Sequence, residues 1–383
     1  MAQISTKTRK KAQLPSMVLL FLLGALLGIF AAWEMTPVAQ SGAGFGTYLI
    51  SLVWLVVSLM LSLYLQVILH EAGHMVFGLL TGYRFVSFRI GSRMIQVENG
   101  RLCRRQYSLS GTGGQCLMTP PEMTDGKMPY KLYNMGGVLA NLLTGLLAAG
   151  LAATNRDVWT LKALFDMLCF VGVGSALLNG IPMQVQGMPN DGANEVEMGR
   201  NPAAQRALWV QLSVNAKQVQ GVSLREMPEE WFALPAEGLD NGMIAPLAVL
   251  HANYLMDQQR FAETAQAIDA LEAQDTAILP THRNMLLCDR LTCALLTGED
   301  AAPWLQRWNE KAMLLFRQQM RGFLSVLRTE YAAALLAEHD REKAKQIKKQ
   351  FEWRTGNYPY VSEITSERAL LERIDAQARK GEN

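Results

Sequence analysis

His70-Glu71-Ala72-Gly73-His74 closes a long apolar run that begins near Tyr48. Residues four apart share one face of a helix. His70 and His74 can therefore hold one metal ion together, while Glu71, one residue along, reaches a water bound to it. This is the H-E-x-x-H arrangement of zinc hydrolases. From Tyr48 to Leu69 there is no charged residue, so the motif sits where a membrane-spanning helix would run. Ionisable side chains in such a helix are costly unless they face an interior cavity and act there. The bland alternative is a set of satisfied core histidines, and it supplies no reason to bury two His and a Glu together.

The composition divides the chain. Of 383 residues, 50% are hydrophobic, but long apolar runs dominate only up to about residue 185, and charged residues become frequent after about 195. A net charge of +2 argues against nucleic acid as a partner. Cys103, Cys116, Cys169, Cys288 and Cys293 are odd in number and lack C-x-x-C spacing, so they read as incidental thiols rather than a disulfide framework or a zinc-cysteine site.

Residues 1–47 comprise a basic segment (Lys7, Arg9, Lys10, Lys11), an apolar run from Pro15 to Trp33 long enough to span a bilayer, and a loop. A basic start before an apolar stretch also describes a signal peptide, but the length of the run favours an uncleaved first span. The second span, about Tyr48 to Gly78, carries the motif. A β-rich insertion at about 84–118 follows. Its Asn99-Gly100, set between alternating runs, predicts a hairpin, with a third strand at Gln106 to Leu109; a plain linker hairpin is the simpler reading. A third span, about Leu132 to Ala153, carries Gly137-Val138-Leu139-Ala140-Asn141 with Gly145 next on that face, and small residues at this spacing let helices approach closely. Asn141 is the polar group on this packed face, where it either serves the site or simply bonds another helix. A fourth span, about Trp159 to Leu178, runs into Asn179-Gly180-Ile181-Pro182 and, beyond, Asn190-Asp191-Gly192.

Lys and Arg gather before the first span and between the second and third, whereas the opposite loops offer only Arg156. Cytoplasmic loops carry this excess. The N-terminus, the β-region and the C-terminal part are accordingly expected in the cytoplasm, which places His70, His74 and Asp191 at the same membrane side. Residues 196–239 read as a linker, and 240–383 as a cytoplasmic helical region. Leu247 to Leu271 and Leu327 to Phe351 look like amphipathic hairpins of tetratricopeptide-like flavour without a fixed period. Their charged faces are simple solvated surface or a docking surface for a cytoplasmic protein partner. His251, His282 and His339 read as structural or surface residues.

A catalytic zinc takes three protein ligands and keeps one position for water. Asp191 is the best third ligand: it is acidic, follows a span end on the correct side, and precedes Gly192, which allows a tight turn. Glu71 accepts a proton from water and later returns it to a leaving amine. Asn141 is placed to stabilise an oxyanion or to hold a substrate backbone.

Three motifs together resemble the site-2 proteases, intramembrane zinc metalloproteases of the M50 type. His70-Glu71-Ala72-Gly73-His74 resembles the family's H-E-x-x-H, Gly137 to Asn141 its G-x-x-x-N, and Asn179, Pro182, Asp191 and Gly192 its N-x-x-P…D-G. The similar core covers residues 48–195. The gap between Pro182 and Asp191 is longer than the usual one, and no segment looks like the PDZ domain found in many members. The resemblance implies Zn2+ on His70, His74 and Asp191, Glu71 as catalytic base, Asn141 and Asn179 lining the site, and the β-region pairing with an unwound substrate as an added strand.

The expectation is a mainly α, polytopic membrane helix bundle of about four spans with a small β-hairpin or sheet insertion and a C-terminal α-helical, repeat-like soluble domain. Its expected function is a multi-pass cell-membrane zinc endopeptidase acting on single-pass membrane proteins or membrane-inserted peptides. The lipid bilayer is its surroundings. One rival is a catalytically silent membrane scaffold that recruits partners through its helical tail. Another is a membrane metallopeptidase that cuts prenylated C-termini, which leaves the N-x-x-P…D-G element unexplained.

Overall fold

The computed structural model describes residues 2–98, 100–106, 113–185 and 188–380, with side chains excepted at 2–15 and 185. Asn99 of the Asn-Gly turn, residues 107–109 of the expected third strand, and Gly111-Thr112 lie outside the described residues.

The N-terminal elements are α1 (Ala2–Gln40), α2 (Phe45–Leu80), β1 (Arg84–Ile90), β2 (Arg93–Glu98), β3 (Arg101–Gln106), β4 (Gly114–Thr119), α3 (Tyr130–Thr154) and α4 (Trp159–Gly180). A two-stranded ribbon follows, β5 (Gln184–Val185) and β6 (Met188–Pro189), then α5 (Asp191–Arg200) and α6 (Pro202–Val219). β1 to β4 form an antiparallel sheet in the order β3-β2-β1-β4. Glu98 pairs directly with Arg101 across the Asn-Gly turn, and Gly100 adopts φ 76°, the left-handed conformation such a turn requires. Gln106 does not open a third strand as expected; it closes β3 by pairing with Arg93.

Among the described residues, four helices are long and apolar enough to cross a membrane: Ser16–Gln40, Phe45–Leu80, Tyr130–Thr154 and Trp159–Gly180. They carry large apolar side chains on their outer faces, among them Phe21, Ile50, Leu80 and Leu147, as surfaces meant for lipid do. Inside the bundle, packing relies on missing side chains. A Cβ on Gly73 of α2 would collide with the Gly136 carbonyl of α3, and one on Gly136 would lie 2.6 Å from the Gly73 carbonyl. α3 and α4 approach in the same way at Gly145 and Gly172, where a Cβ on Gly172 would sit 3.0 Å from the Gly145 Cα. α1 is tied to α4 by polar contacts: Lys162 Nζ bonds Glu34 Oε1 and Asp166 Oδ2, each at 2.7 Å, and Trp159 Nε1 donates to the Glu34 carbonyl.

Two compact units partition the chain, one of residues 1–91 and 110–205, the other of 92–109 and 206–383. The second contains α7 (Pro246–Asp257), α8 (Phe261–Glu272), α9 (Pro280–Thr297), α10 (Ala302–Trp308), α11 (Lys311–Met320), α12 (Leu324–Ala332), a π-turn at Ala333–Ala337, α13 (Arg341–Thr355) and α14 (Val361–Lys380). α7 and α8 form the first expected hairpin, burying Ala252, Tyr254, Phe261, Ala265 and Ile268. Tyr331, Ala344, Ile347 and Phe351 are buried in the second, with Leu335 partly buried against them. Gln96 of the β2–β3 ribbon, fully buried, donates to the Pro359 carbonyl at 2.8 Å in this unit. All five cysteines are free thiols.

Candidate metal centre

At 1.5 Å per residue, the uncharged run Tyr48 to Leu69 is about 33 Å long, close to the thickness of a bilayer's hydrocarbon core. His70 follows directly, so the motif belongs near the membrane edge where α2 ends. The start of α3 lies at the same end of the bundle, where the Tyr133 carbonyl and Gly136 meet the motif, and the end of α4 joins it there through Gly180, which lies against Val138 of α3.

The expected ligands converge. His70 Nε2 and His74 Nε2 are 3.1 Å apart, and Asp191 Oδ2 lies 3.2 Å from the first and 3.6 Å from the second. Ligand atoms about 2.0–2.1 Å from a tetrahedral zinc stand about 3.3 Å from one another, so the three separations fit one ion. Among the described residues this is the one group of three or more His, Cys, Asp or Glu side chains close enough to hold a metal.

Hydrogen bonds on the far side of each ring hold the single proton of a neutral imidazole there. His74 Nδ1–H donates to the Tyr133 carbonyl at 2.8 Å, and a carbonyl can only accept. For His70 the argument takes one more step. Asn141 Nδ2 donates to the Gln66 backbone carbonyl at 2.9 Å and to Gln66 Oε1 at 2.6 Å, which turns Asn141 Oδ1 toward His70 Nδ1 at 2.7 Å. Gln66 is held in turn by donating Nε2 to the Leu168 carbonyl at 3.3 Å. In the neutral rings both Nε2 atoms therefore present lone pairs, and they face a carboxylate oxygen that is buried with no hydrogen-bond partner. Three acceptor atoms at this spacing would repel one another, and a cation between them would remove the repulsion. This donor set fits zinc.

Asp191 is aimed by the residue before it. Asn190 caps α5: its Oδ1 accepts from Ala193 N at 2.9 Å and Met183 N at 3.1 Å, and its Nδ2 donates to the carbonyls of Leu178 and Ile181. The long gap after Pro182 is folded away. β5 pairs with β6, Gln184 opposite Pro189, and Asn190 N donates to the Met183 carbonyl, which returns the chain to its starting point. Gly192 is needed for this approach, since a Cβ there would collide with the Gly180 carbonyl. Asn134 of α3 adds a 2.7 Å bond from Nδ2 to the Asp191 carbonyl.

Glu71 points to the strand beside the motif. An ideal Cβ at Gly114, the first residue of β4, would lie 2.6 Å from Glu71 Cγ and 2.9 Å from its Oε1, so glycine lets the carboxylate lie against the strand. The Cys116 backbone N–H also faces this carboxylate. Burial pushes the Cys116 thiol up to about 12, which keeps a competing thiolate out of the site.

Asn141 and Asn179 are placed differently from the expected roles. Asn141 is fully buried behind His70, with Nδ2 committed to Gln66 and Oδ1 to the imidazole; no donor is left for an oxyanion or a substrate backbone. Asn179, at the end of α4, donates to the Ser175 carbonyl at 3.0 Å, and its described bond does not reach the three ligands. Gln66, Tyr133, Asn134 and Asn190 entered the site unforeseen. Gln66 had a visible signal, being the one amide side chain between Tyr48 and Leu69 and four residues before His70. Asn190 had another, a preferred cap residue directly before a helix. Tyr133 acts through its backbone and had none.

No curated protein and no solved structure matches the chain. The tetratricopeptide-like character of the C-terminal hairpins is not shown by any family match. One family model, described as Peptidase M50B-like, matches residues 44–175, about a third of the chain; this covers the H-E-x-x-H and Asn141 but stops short of Asp191. Residues 44–175 thus form a Peptidase M50B-like domain, to which the fold adds Asp191 as the third member of a group that could hold a metal.

Proposed function

We propose that this protein is an intramembrane zinc endopeptidase that hydrolyses peptide bonds of membrane proteins or membrane-inserted peptides near the cytoplasmic edge of the bilayer. The observation that carries the reading is the convergence of His70 Nε2, His74 Nε2 and Asp191 Oδ2 within 3.6 Å of one another, beside the Glu71 carboxylate. Zinc held by these three would supply a Lewis acid that polarises a carbonyl and makes water acidic near neutral pH.

The remaining work falls to the chain. Glu71 takes a proton from water as its oxygen bonds to the scissile carbonyl carbon, and gives that proton to the departing amine nitrogen as the C–N bond breaks. Asn141 and Tyr133 hold the two imidazoles in one tautomer and one orientation. The helical backbone of a membrane substrate must open before it can be cut, and its freed N–H and C=O groups need partners in a medium without water. β4 ends the strand order, and among the described residues no strand pairs with its outer edge. That edge begins at Gly114, against Glu71, so a substrate strand added there runs past the carboxylate. The lysine and arginine distribution supports a cytoplasmic location for this end of the bundle.

The test uses the detergent-purified full chain with membrane-peptide substrates, comparing wild type, Glu71→Gln and Asp191→Ala. Wild type should bind about one zinc per chain and cleave. Glu71→Gln should keep the zinc and lose cleavage by about 10²–10⁴-fold, and Asp191→Ala should lose both. Cleavage by Glu71→Gln at the wild-type rate refutes the role of Glu71. A wild type that takes up no zinc when it is supplied favours the silent scaffold.

A further inference from the structure

Within the second compact unit lies a cavity of about 380 Å³, in the size range of ligand sites. Its wall carries four carboxylates, Asp257, Asp289, Glu363 and Glu367, and one guanidinium, Arg328. Arg328, 1% exposed, serves two of them: Nη2 donates to Asp289 Oδ1 at 2.5 Å and Nη1 to Glu367 Oε1 at 3.0 Å. Glu363 accepts from the Tyr358 hydroxyl at 2.7 Å.

Two buried polar atoms of residues that line this cavity are left unmatched. Asp257 is 7% exposed; its Oδ2 accepts from Arg225 N at 2.8 Å, and its Oδ1 is buried with no partner. Arg328 Nε–H is likewise buried without an acceptor. Orphaned polar atoms at such depth are costly. The wall is thus short of one cation and one acceptor. Burial pushes the Glu363 carboxyl up to about 7 and that of Glu367 up to about 8, against the pull of Arg328.

We propose that this cavity binds a peptide segment through an arginine or lysine side chain, its cationic head at Asp257 Oδ1 and Glu363 and a peptide carbonyl on Arg328 Nε–H. Leu224, Val249, Met256 and Leu370 give the aliphatic stem an apolar bed. The need for an acceptor separates a peptide from a polyamine, which has donors alone. A bare metal ion is disfavoured because the carboxylates do not bring three ligand atoms together: among the described residues only His70, His74 and Asp191 do.

The experiment is calorimetric titration of the full chain in detergent with acetyl-Ala-Arg-Ala-amide, with the same peptide bearing citrulline, the neutral isostere, and with spermidine. The arginine peptide should bind saturably. The citrulline peptide should bind about tenfold or more weakly, as should the arginine peptide to Asp257→Asn, with zinc content unchanged. Should Asp257→Asn fail to fold, Glu363→Gln on the more open part of the wall gives the same reading. Equal binding of the arginine and citrulline peptides, wild-type affinity in the folded variant, or no saturable binding at millimolar peptide overturns the proposal. Spermidine binding as tightly as the peptide overturns the peptide assignment.

Discussion

Adding one methyl group at Gly137 tests the metal centre most sharply. An ideal Cβ there lies 2.5 Å from His70 Cε1 and 2.6 Å from both ring nitrogens. Ordinary contact begins at 3.4 Å, so the ring must retreat by about 0.9 Å. The helices cannot part to make room without undoing the Gly73–Gly136 contact that joins α2 to α3. Metal–ligand distances tolerate about 0.2 Å, so a retreat of that size removes His70 Nε2 from the ligand set. The helix itself survives: alanine favours helix over glycine by about 1 kcal/mol, offsetting part of the about 1–3 kcal/mol typical of overpacking. Gly137→Ala should therefore remain folded and lose zinc affinity by about a hundredfold or more. Gly150→Ala, on the same helix with nothing within 4 Å of its Cβ position, should bind zinc as wild type does. The assay is zinc retained per chain against a graded chelator series. Wild-type affinity in Gly137→Ala refutes His70 as a ligand.

Three further outcomes follow from the same geometry. Asn141→Leu leaves the ligands in place but unties His70 and the Gln66 carbonyl, so zinc affinity should fall about 10–100-fold; the same chelator series reads this, and an unchanged value refutes the orienting role. Asn190→Ala removes the α5 cap, a loss of about 1 kcal/mol, and loosens the turn that aims Asp191, so thermal stability and zinc affinity should fall together. The C-terminal cavity predicts a pH effect. Glu363 and Glu367 keep their protons to about 7 and about 8 when folded, whereas the unfolded chain releases them near the ordinary glutamate value. Their contribution to stability is complete below that ordinary value and is lost as pH rises through 7 to 8. Melting of the helical signal should occur at a lower temperature near pH 8.5 than near pH 6, and Glu367→Gln should flatten the difference; a flat or rising wild-type profile refutes the burial of these two carboxyls.

Much of the centre was legible because its ligands obey short-range rules. Helical spacing puts His70 and His74 on one face, and the residue types at Asp191-Gly192 announce a carboxylate on a tight turn. Positive φ at Gly100 repeats what Asn-Gly implies. The supporting atoms escaped for a different reason. Tyr133 contributes a backbone carbonyl, which every residue has, so no letter marks it. The roles of Asn141 depend on which groups lie across an interhelical gap. A buried asparagine can serve substrate or structure, and only the neighbours Gln66 and His70 decide between them. The long Pro182–Asp191 gap is no obstacle to the Asp191 position, because spacing along the chain says little about distance once a ribbon doubles back on itself. In the C-terminal unit, amphipathic periodicity predicted the hairpins, while the cavity carboxylates are scattered from Asp257 to Glu367 and meet only on folding.

The path from His70 through Asn141 and Gln66 to the Leu168 carbonyl, together with Asp191 beyond α4, has a consequence for the protein's birth. The two histidines are synthesised well before the groups that fix the tautomer of one and supply the third donor for both. A nascent chain holding only α2 has two unoriented imidazoles, and one that has added α3 still lacks the carboxylate. A metal held by all three ligands would then have to wait until the last of the four candidate spans is in place and residue 191 has folded back. On the proposed function, an incompletely inserted chain would therefore lack the complete ligand set and be chemically inert among the other newly made proteins around it.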